Sequence, residues 1–213
     1  MIIAVDGPAA SGKGTIARAL ARHYRLPVLD TGLLYRAVAT TVRRLELDPA
    51  KEADAVAACS FDDALLADPS LRDDATGQLA SIVSAHPLVR AALLHRQKRF
   101  ANQPGGAVID GRDIGTVIAP QADAKLFVKA TPQIRARRRH SELRVAGSTL
   151  SFDKVLADIR ARDARDSGRS AAPLVMAADA ALLDTSFLSI EASVQRAIAL
   201  VDDRIRSRRP ADV

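Results

Sequence analysis

Apolar residues in this chain fall into two kinds of stretch. Ile2–Asp6, Val28–Asp30, Ala107–Asp110, Ala124–Val128 and Ala181–Asp184 are short, nearly continuous apolar runs, several closing on an aspartate, as strands buried on both faces require. Between them apolar positions recur every three or four residues, as at Ile16, Ala17, Leu20 and Ala21, which is helical spacing. Strands alternating with helices in this way predict an α/β domain with a doubly wound, parallel five-stranded sheet. Ligands of such sheets bind beyond the carboxyl ends of the strands, so Asp6, Asp30 and Asp110 are expected to crowd one functional rim. Two stretches read as insertions into this core. Residues 47 to about 86 are rich in Ala and Asp and broken by Pro49 and Pro69, and residues 140–152 hold Gly147 and a Ser/Thr cluster suited to a mobile flap. There is no internal repeat, so residues 1–213 read as a single domain.

Composition narrows the class. Of 213 residues 48% are hydrophobic but only 3% aromatic, with no Trp, which describes an Ala/Leu/Val interior of helices packed on a sheet. Cys59 is the one cysteine, so the chain can form no internal disulfide or cysteine-based zinc site, and a reducing cytoplasm is the expected location. No metal-ligand spacing links Cys59 to the four histidines. The first strand starts at Ile2 and no apolar run approaches the roughly 18 residues of a membrane helix, which predicts a soluble, unexported protein. The net charge of +6 suggests a nucleic-acid binder, but there are too few aromatics for base-stacking platforms. The basic tail Arg204, Arg206, Arg208 and Arg209 reads as a solvated helix end favoured by the macrodipole.

The stretch Asp6-Gly7-Pro8-Ala9-Ala10-Ser11-Gly12-Lys13-Gly14-Thr15 follows the first strand and opens the first helix. Gly7 and Gly12 allow a turn whose N–H groups converge on phosphate oxygens, while Lys13 stands at a helix N-terminus that favours the same anion. Gly7 through Thr15 are therefore the predicted nucleoside triphosphate cradle. Gly14 occupies the position where a Mg²⁺-binding hydroxyl is usual, and Thr15 comes one residue later, as a candidate for the α-phosphate. Mg²⁺ is then expected to rest on phosphates, water and a carboxylate elsewhere, with no direct protein ligand. Asp110, ending a strand beside the cradle, is placed to orient it through water.

Other segments admit two readings. The turn Asp30-Thr31-Gly32-Leu33-Leu34-Tyr35-Arg36 opens a helix over 33–45, and either Thr31 and Arg36 hold a phosphate or this is an ordinary cap with an exposed arginine. Arg162, Arg165 and Asp166 lie three and four apart, the spacing of a solvated, salt-bridged helix face as well as of a site. Arg135, Arg137, Arg138 and Arg139 are a surface cluster or part of a lid over triphosphate.

The opening Asp-Gly-Pro-Ala-Ala-Ser-Gly-Lys-Gly-Thr, the segments Ser84–Arg90 and Val108-Ile-Asp-Gly-Arg-Asp-Ile-Gly-Thr116, and the run from Arg160 to Leu174 together resemble bacterial cytidylate kinases. These are P-loop nucleoside monophosphate kinases, which carry the Gly-Lys-Gly-Thr variant. The resemblance implies an adenylate-kinase-like fold with a monophosphate-binding region over about 31–98 and a lid over about 140–152. It implies transfer of the γ-phosphoryl group of ATP to CMP or dCMP. Residue by residue, Thr31, Tyr35 and Arg36 would line the monophosphate pocket, and Ser81, Arg90 and Asp113 would face the base. Arg162 and Asp166 would hold the sugar, Arg36, Arg112 and Arg169 the monophosphate, and Arg138 the ATP phosphates. Lys13, Arg112, Arg169 and Asp110 form the expected catalytic set. Chemistry supports the base assignment independently, because cytosine N4 donates to acceptors such as Asp113 while O2 and N3 accept from Arg90.

The acceptor is already an ionised phosphate, so positioning and charge neutralisation rather than proton abstraction should dominate. The implied partners are ATP with Mg²⁺ and CMP or dCMP, with no nucleic acid or membrane, acting on a monomer. Thr31 replaces the family's commoner serine, and the insertion between Leu47 and Pro87 is shorter than is familiar and lacks a strand-rich portion. The rival readings are a P-loop kinase of UMP, AMP or another small molecule, and a nucleotide-dependent, nucleic-acid-binding regulator. No guanine-reading Asn-Lys-x-Asp motif supports a GTPase switch.

Overall fold

The structure is a computed structural model that describes residues 1–208; Arg209 of the basic tail lies outside the described residues. In chain order the elements are β1 (Ile2–Asp6), α1 (Lys13–Tyr24), β2 (Val28–Asp30), α2 (Thr31–Arg44), α3 (Glu52–Ala57), α4 (Asp74–Val83), α5 (Pro87–Ala101), β3 (Ala107–Gly111), β4 (Ala124–Lys129), α6 (Pro132–Val145), α7 (Phe152–Gly168), β5 (Ala181–Asp184) and α8 (Ile190–Arg208). Two 3₁₀ turns, Asp63–Ala67 and Pro69–Arg72, separate α3 from α4. The strands lie in the order β2-β3-β1-β4-β5, and every pairing is parallel. All five apolar runs are strands, two of them one residue longer than the sequence pattern indicates.

Alternation along the strands explains the two-sided core. Ile3, Val5, Val108, Leu126 and Val128 face α1 and α8, packing on Ile16, Leu20, Ala197 and Val201. Ala4 and Ile109 point the other way, onto Ala101 of α5 and the turn at Ile114–Ile118. Each fully buried Val, Leu or Ile contributes about 1.5–3 kcal/mol, so both faces drive the sheet's closure between helices. A separate apolar cluster joins Leu34, Val38 and Val42 of α2 to Ala80 and Val83 of α4 and Val89 and Leu93 of α5, which gives the 47–86 insertion its own small core.

That insertion is entirely helices and turns among its described residues. Of the segment read as a flap, residues 140–145 are the last turns of α6, and Gly147 at φ +82° starts the short link to α7. Ala136, Leu143, Val155 and Ile159 pack these two helices into a hairpin. Because β1 pairs with β3 on one side and β4 on the other, the chain's direction of winding reverses next to β1, and the loops after β1 and β3 diverge around a crevice.

Candidate active site

The cradle is built by backbone. Gly7 leaves β1 at φ +155°, and any Cβ there would collide with the Val128 carbonyl oxygen, so this position requires glycine. Ala10 and Gly12 both adopt positive φ, and Gly12 caps α1 with no side-chain hydrogen bond, so the first N–H groups of α1 remain for an anion. Ser11 Oγ is buried and has no hydrogen-bond partner among the described residues. Gly12, Lys13, Gly14 and Thr15 share a cavity with Arg138 and the Thr185–Ser193 segment, while Ala9, Ala10 and Lys13 also face a second cavity with Arg36, Arg112 and Arg162. Lys13 thus stands between the two spaces. Gly7 and Pro8 shape the turn without lining either cavity.

The three strand-end aspartates meet on one rim but do different things. Asp6 accepts hydrogen bonds from the Ile114 and Gly115 N–H groups, both at 2.8 Å, which pins the turn after β3 against β1. Burial outweighs those two bonds and lifts its pKa to about 6. Asp30 caps α2 by accepting from Gly32 N–H at 3.0 Å, so the helix starts at Thr31, two residues earlier than periodicity indicates. Asp110 lies 3.4 Å from Lys13 Nζ through Oδ2, and its buried Oδ1 has no hydrogen-bond partner among the described residues. Burial holds its pKa above the ordinary value despite Lys13.

Behind Lys13 a narrower cleft gathers Thr31, Tyr35, Arg90, Arg112, Asp113, Arg162, Asp166 and Arg169. Residues separated by more than a hundred positions in sequence meet here. Arg90 pairs with Asp113 and lies over the Tyr35 ring at 5.4 Å from its centroid. Arg169 reaches to 3.7 Å from the other Asp113 oxygen, and α7 ends one residue before it, at Gly168. Arg112 Nε donates to Asp166 Oδ2 at 2.8 Å, and Arg162 Nε lies 4.0 Å from the same oxygen. Burial and the neighbouring Arg112 guanidinium push Arg162 down to about 10. Burial works against the Asp166 charge, but Arg112 and Arg162 more than offset it and hold the carboxylate below its usual value. Asp166 is buried, so the reading of 162–166 as a solvated face is corrected: α7 turns these charges inward, against Arg112. Arg162 Nε and Arg169 Nη2 are buried nitrogens without a hydrogen bond among the described residues, an arrangement that suits an anion or a polar ligand.

Other positions stand apart from that cluster. Thr31 Oγ1 donates to the Asp110 carbonyl at 2.8 Å, so its hydroxyl ties α2 to β3 and keeps only its acceptor capacity for a ligand. Ser81 is buried and accepts from Arg165 Nε at 3.2 Å; Ala80 of α4 and Ser84, just past its end, line the cleft, and Ser81 does not. Arg36 is not exposed: it grips the Leu71 and Asp73 carbonyls and opens onto the larger cavity with Lys13 and Arg112.

The arginine run on α6 divides by function. Arg135 is buried, bidentate with Asp163 at 2.9 and 2.6 Å, and donates to the Ala130 and Ala9 carbonyls, so it fastens α6 to α7 and to the cradle. Arg138 holds Thr185 O at 2.6 Å and Ser11 O at 3.4 Å while lining the cradle's cavity. Arg139 bridges to Asp74 of α4 at 2.8 Å, joining the hairpin to the insertion, and Arg137 is exposed. Sequence reasoning passes over Asp74, Asp163 and Thr185, because each matters only through a partner dozens of residues away.

A sugar kinase from Janibacter sp. aligns with a TM-score of 0.50 at 14% identity over 98% of each chain. An uncharacterized protein from Eubacterium ventriosum aligns at 0.55 and 15% identity, covering 95% of this chain and 98% of that one, and both likenesses concern the fold alone. The cytidylate kinase of Xanthobacter autotrophicus is 57% identical over 208 residues, spanning 98% of this chain and 100% of its own length. That of Azorhizobium caulinodans is 56% identical over 204 residues, spanning 95% and 98%. The family model described as cytidylate kinase matches residues 3–203, and the chain belongs to the cytidylate kinase family.

Proposed function

We propose that this protein transfers the γ-phosphoryl group of ATP to CMP or dCMP, giving ADP and CDP or dCDP. The observation that carries the reading is the placement of Lys13 between the two spaces: the cradle opens on one side of it, and the cavity holding Arg36, Arg112 and Arg162 on the other. A donor phosphate and an acceptor phosphate brought in from opposite sides meet at that lysine. Ordering two anions this way supplies the entropic part of catalysis, and the guanidinium groups offset the charge that spreads over the transferring group.

The acceptor's phosphate is assigned to Arg36, Arg112 and Arg169, its sugar to Asp166 and Arg162, and its base to Arg90 and Asp113, with Thr31 and Tyr35 walling the pocket. Asp113 already accepts from Arg90, yet a carboxylate has further lone pairs for the cytosine N4 amino group. Ser81 accepts from Arg165 and so ties α4, which carries Ala80 of this pocket, to α7. The hairpin of α6 and α7 and the insertion carrying α4 would close over the reactants and exclude water. Arg138 then meets the ATP phosphates from the α6 side.

The residues present fit a Mg²⁺ ion carried by ATP. Asp110 offers a buried carboxylate oxygen with no hydrogen-bond partner among the described residues, directly beside Lys13, and would hold the ion through water. When bound, the ion neutralises charge on the β and γ phosphates.

A coupled assay of ADP release, with ATP and Mg²⁺ against CMP, dCMP, UMP, AMP and GMP, tests the assignment. CMP and dCMP should give the highest kcat/KM. Turnover led by AMP or GMP, or ATP hydrolysis indifferent to every monophosphate, would overturn it.

A further inference from the structure

Arg72 ends the 3₁₀ turn Pro69–Arg72, in the insertion, yet it lines the same cavity as Gly12–Thr15. That cavity carries Lys13, Arg18, Arg72 and Arg138 on its wall against the single carboxylate of Glu142. Two of these cations have work within the fold, Lys13 beside Asp110 and Arg138 on Thr185, and Glu142 pairs with Arg139. Arg72 is exposed and makes no side-chain hydrogen bond or ion pair among the described residues. Four cations facing one partnered carboxylate repel one another unless a polyanion lies among them.

The backbone around Arg72 is held firmly for an exposed turn. Arg36 Nη1 donates to the carbonyl before it, Leu71 O, at 2.7 Å and to the one after it, Asp73 O, at 2.9 Å. Leu71 is fully buried, Asp68 caps the turn through Ser70 N–H at 2.9 Å, and Arg44 in turn holds Asp68 at 2.9 Å. An arginine side chain loses rotamer entropy on binding, so fixing its backbone beforehand concentrates its reach on one direction.

We infer that Arg72 is a triphosphate-binding residue of the nucleotide site, aimed there by Arg36, so that the insertion which receives the acceptor also closes on ATP. This rests on the proposed function, since it takes the Gly12–Thr15 cavity to be the nucleotide site. Arg36 belongs to both spaces: it lines the cavity beyond Lys13 and grips the turn that presents Arg72. A phosphate seated on Arg36 would therefore stiffen the segment that carries Arg72, and the two substrates would favour each other's binding.

Calorimetric titration of the full-length chain with ATP, ADP and adenosine, without acceptor, tests this on wild type, Arg72→Ala, Arg72→Lys, Arg36→Met, the double variant Arg36→Met/Arg72→Ala, and Lys13→Ala. Arg72→Ala should raise the Kd for ATP about five- to tenfold, the loss of one charge-assisted contact, and leave adenosine unchanged. Arg72→Lys should recover part of the loss, and the thermal midpoint of both variants should match wild type because Arg72 is exposed. Arg36→Met has no donor for the Leu71 and Asp73 carbonyls, so it should weaken ATP as well, and its effect should be non-additive with Arg72→Ala. An ATP Kd within twofold of wild type in Arg72→Ala, or an equal loss for adenosine, would overturn the role of Arg72; additive losses would overturn the aiming by Arg36. If Lys13→Ala also leaves ATP binding intact, the nucleotide site itself is misplaced, whereas loss in Lys13→Ala alone removes only Arg72.

Discussion

Removing the Asp166 carboxylate should destabilise the protein as well as impair it, because the structure makes Asp166 the counter-ion of two arginines. Its Oδ2 accepts from Arg112 Nε at 2.8 Å and lies 4.0 Å from Arg162 Nε, with side chains 15% exposed at Arg112, 5% at Asp166 and 24% at Arg162. Deleting one partner of a buried ion pair costs about 3–5 kcal/mol. Arg162 can relax toward water, so about 3 kcal/mol is the figure to expect for Asp166→Ala, and at about 2–4 °C per kcal/mol for a chain of this size the thermal midpoint should fall by about 6–12 °C. Asp166→Asn keeps an oxygen for Arg112 and should lose roughly half as much. Since the folded carboxylate is held below its unfolded value, its contribution is fully present above that value, near pH 3.8, and is lost as pH falls through the folded pKa. The gap between wild type and Asp166→Asn should therefore be flat from pH 5 to 8 and close in stronger acid. Urea and thermal denaturation without nucleotide measure this, with Arg112→Met and Arg112→Met/Asp166→Ala completing a double-mutant cycle. Asp166→Ala within 2 °C of wild type would refute the buried counter-ion. The catalytic arm is separate: if Asp166 also accepts from the sugar, kcat/KM of Asp166→Asn should fall more for CMP than for dCMP, and equal falls would leave Asp166 a purely structural partner.

Lys13→Ala should lower kcat by roughly 10² or more with little change in stability, because the lysine's surroundings are the cradle and Asp110, which can take up a proton when its partner is gone; near-normal turnover would remove Lys13 from the phosphate site. Gly7→Ala should prevent folding or abolish ATP binding, since the new Cβ meets the Val128 carbonyl at a backbone angle alanine avoids, and a soluble variant with wild-type ATP affinity would contradict the geometry. Asp113→Asn should reduce activity on both CMP and UMP by freeing Arg90 and Arg169, but CMP should suffer more, because an amide can also donate to uracil O4. A common factor for the two acceptors, measured as kcat/KM, would show that Asp113 does not read the base.

Much of the fold is legible in the chain because its parts are local. A strand covered on both faces must be apolar from end to end, which is why all five runs, even the three residues of Val28–Asp30, stand out. The cradle is legible for a related reason: a backbone turn needs its glycines, and a helix start needs its place after a strand, at fixed spacing. Arg169 directly after Gly168 is another local signal, a helix stop that throws a side chain out of the helical path. The run at Arg162–Asp166 shows the limit. Charges three and four apart look alike whether the helix face meets water or another element, and only Arg112, fifty-four residues from Asp166, decides between them.

What the sequence determined by itself is the alternation of strands and helices, the glycine-bearing turn at the end of β1, and, through resemblance, the family. What only the tertiary structure decided is which charges face one another. It places Asp6 on the turn after β3 and Asp110 on Lys13, although both are strand-end aspartates. It buries Arg135 on Asp163, sets Arg139 on Asp74 and leaves Arg137 in solvent, although all three belong to one run. Periodicity reports which face of an element is buried, but an ion pair depends on distance and burial across elements, and those exist only once the sheet order β2-β3-β1-β4-β5 has brought remote segments onto the same rim.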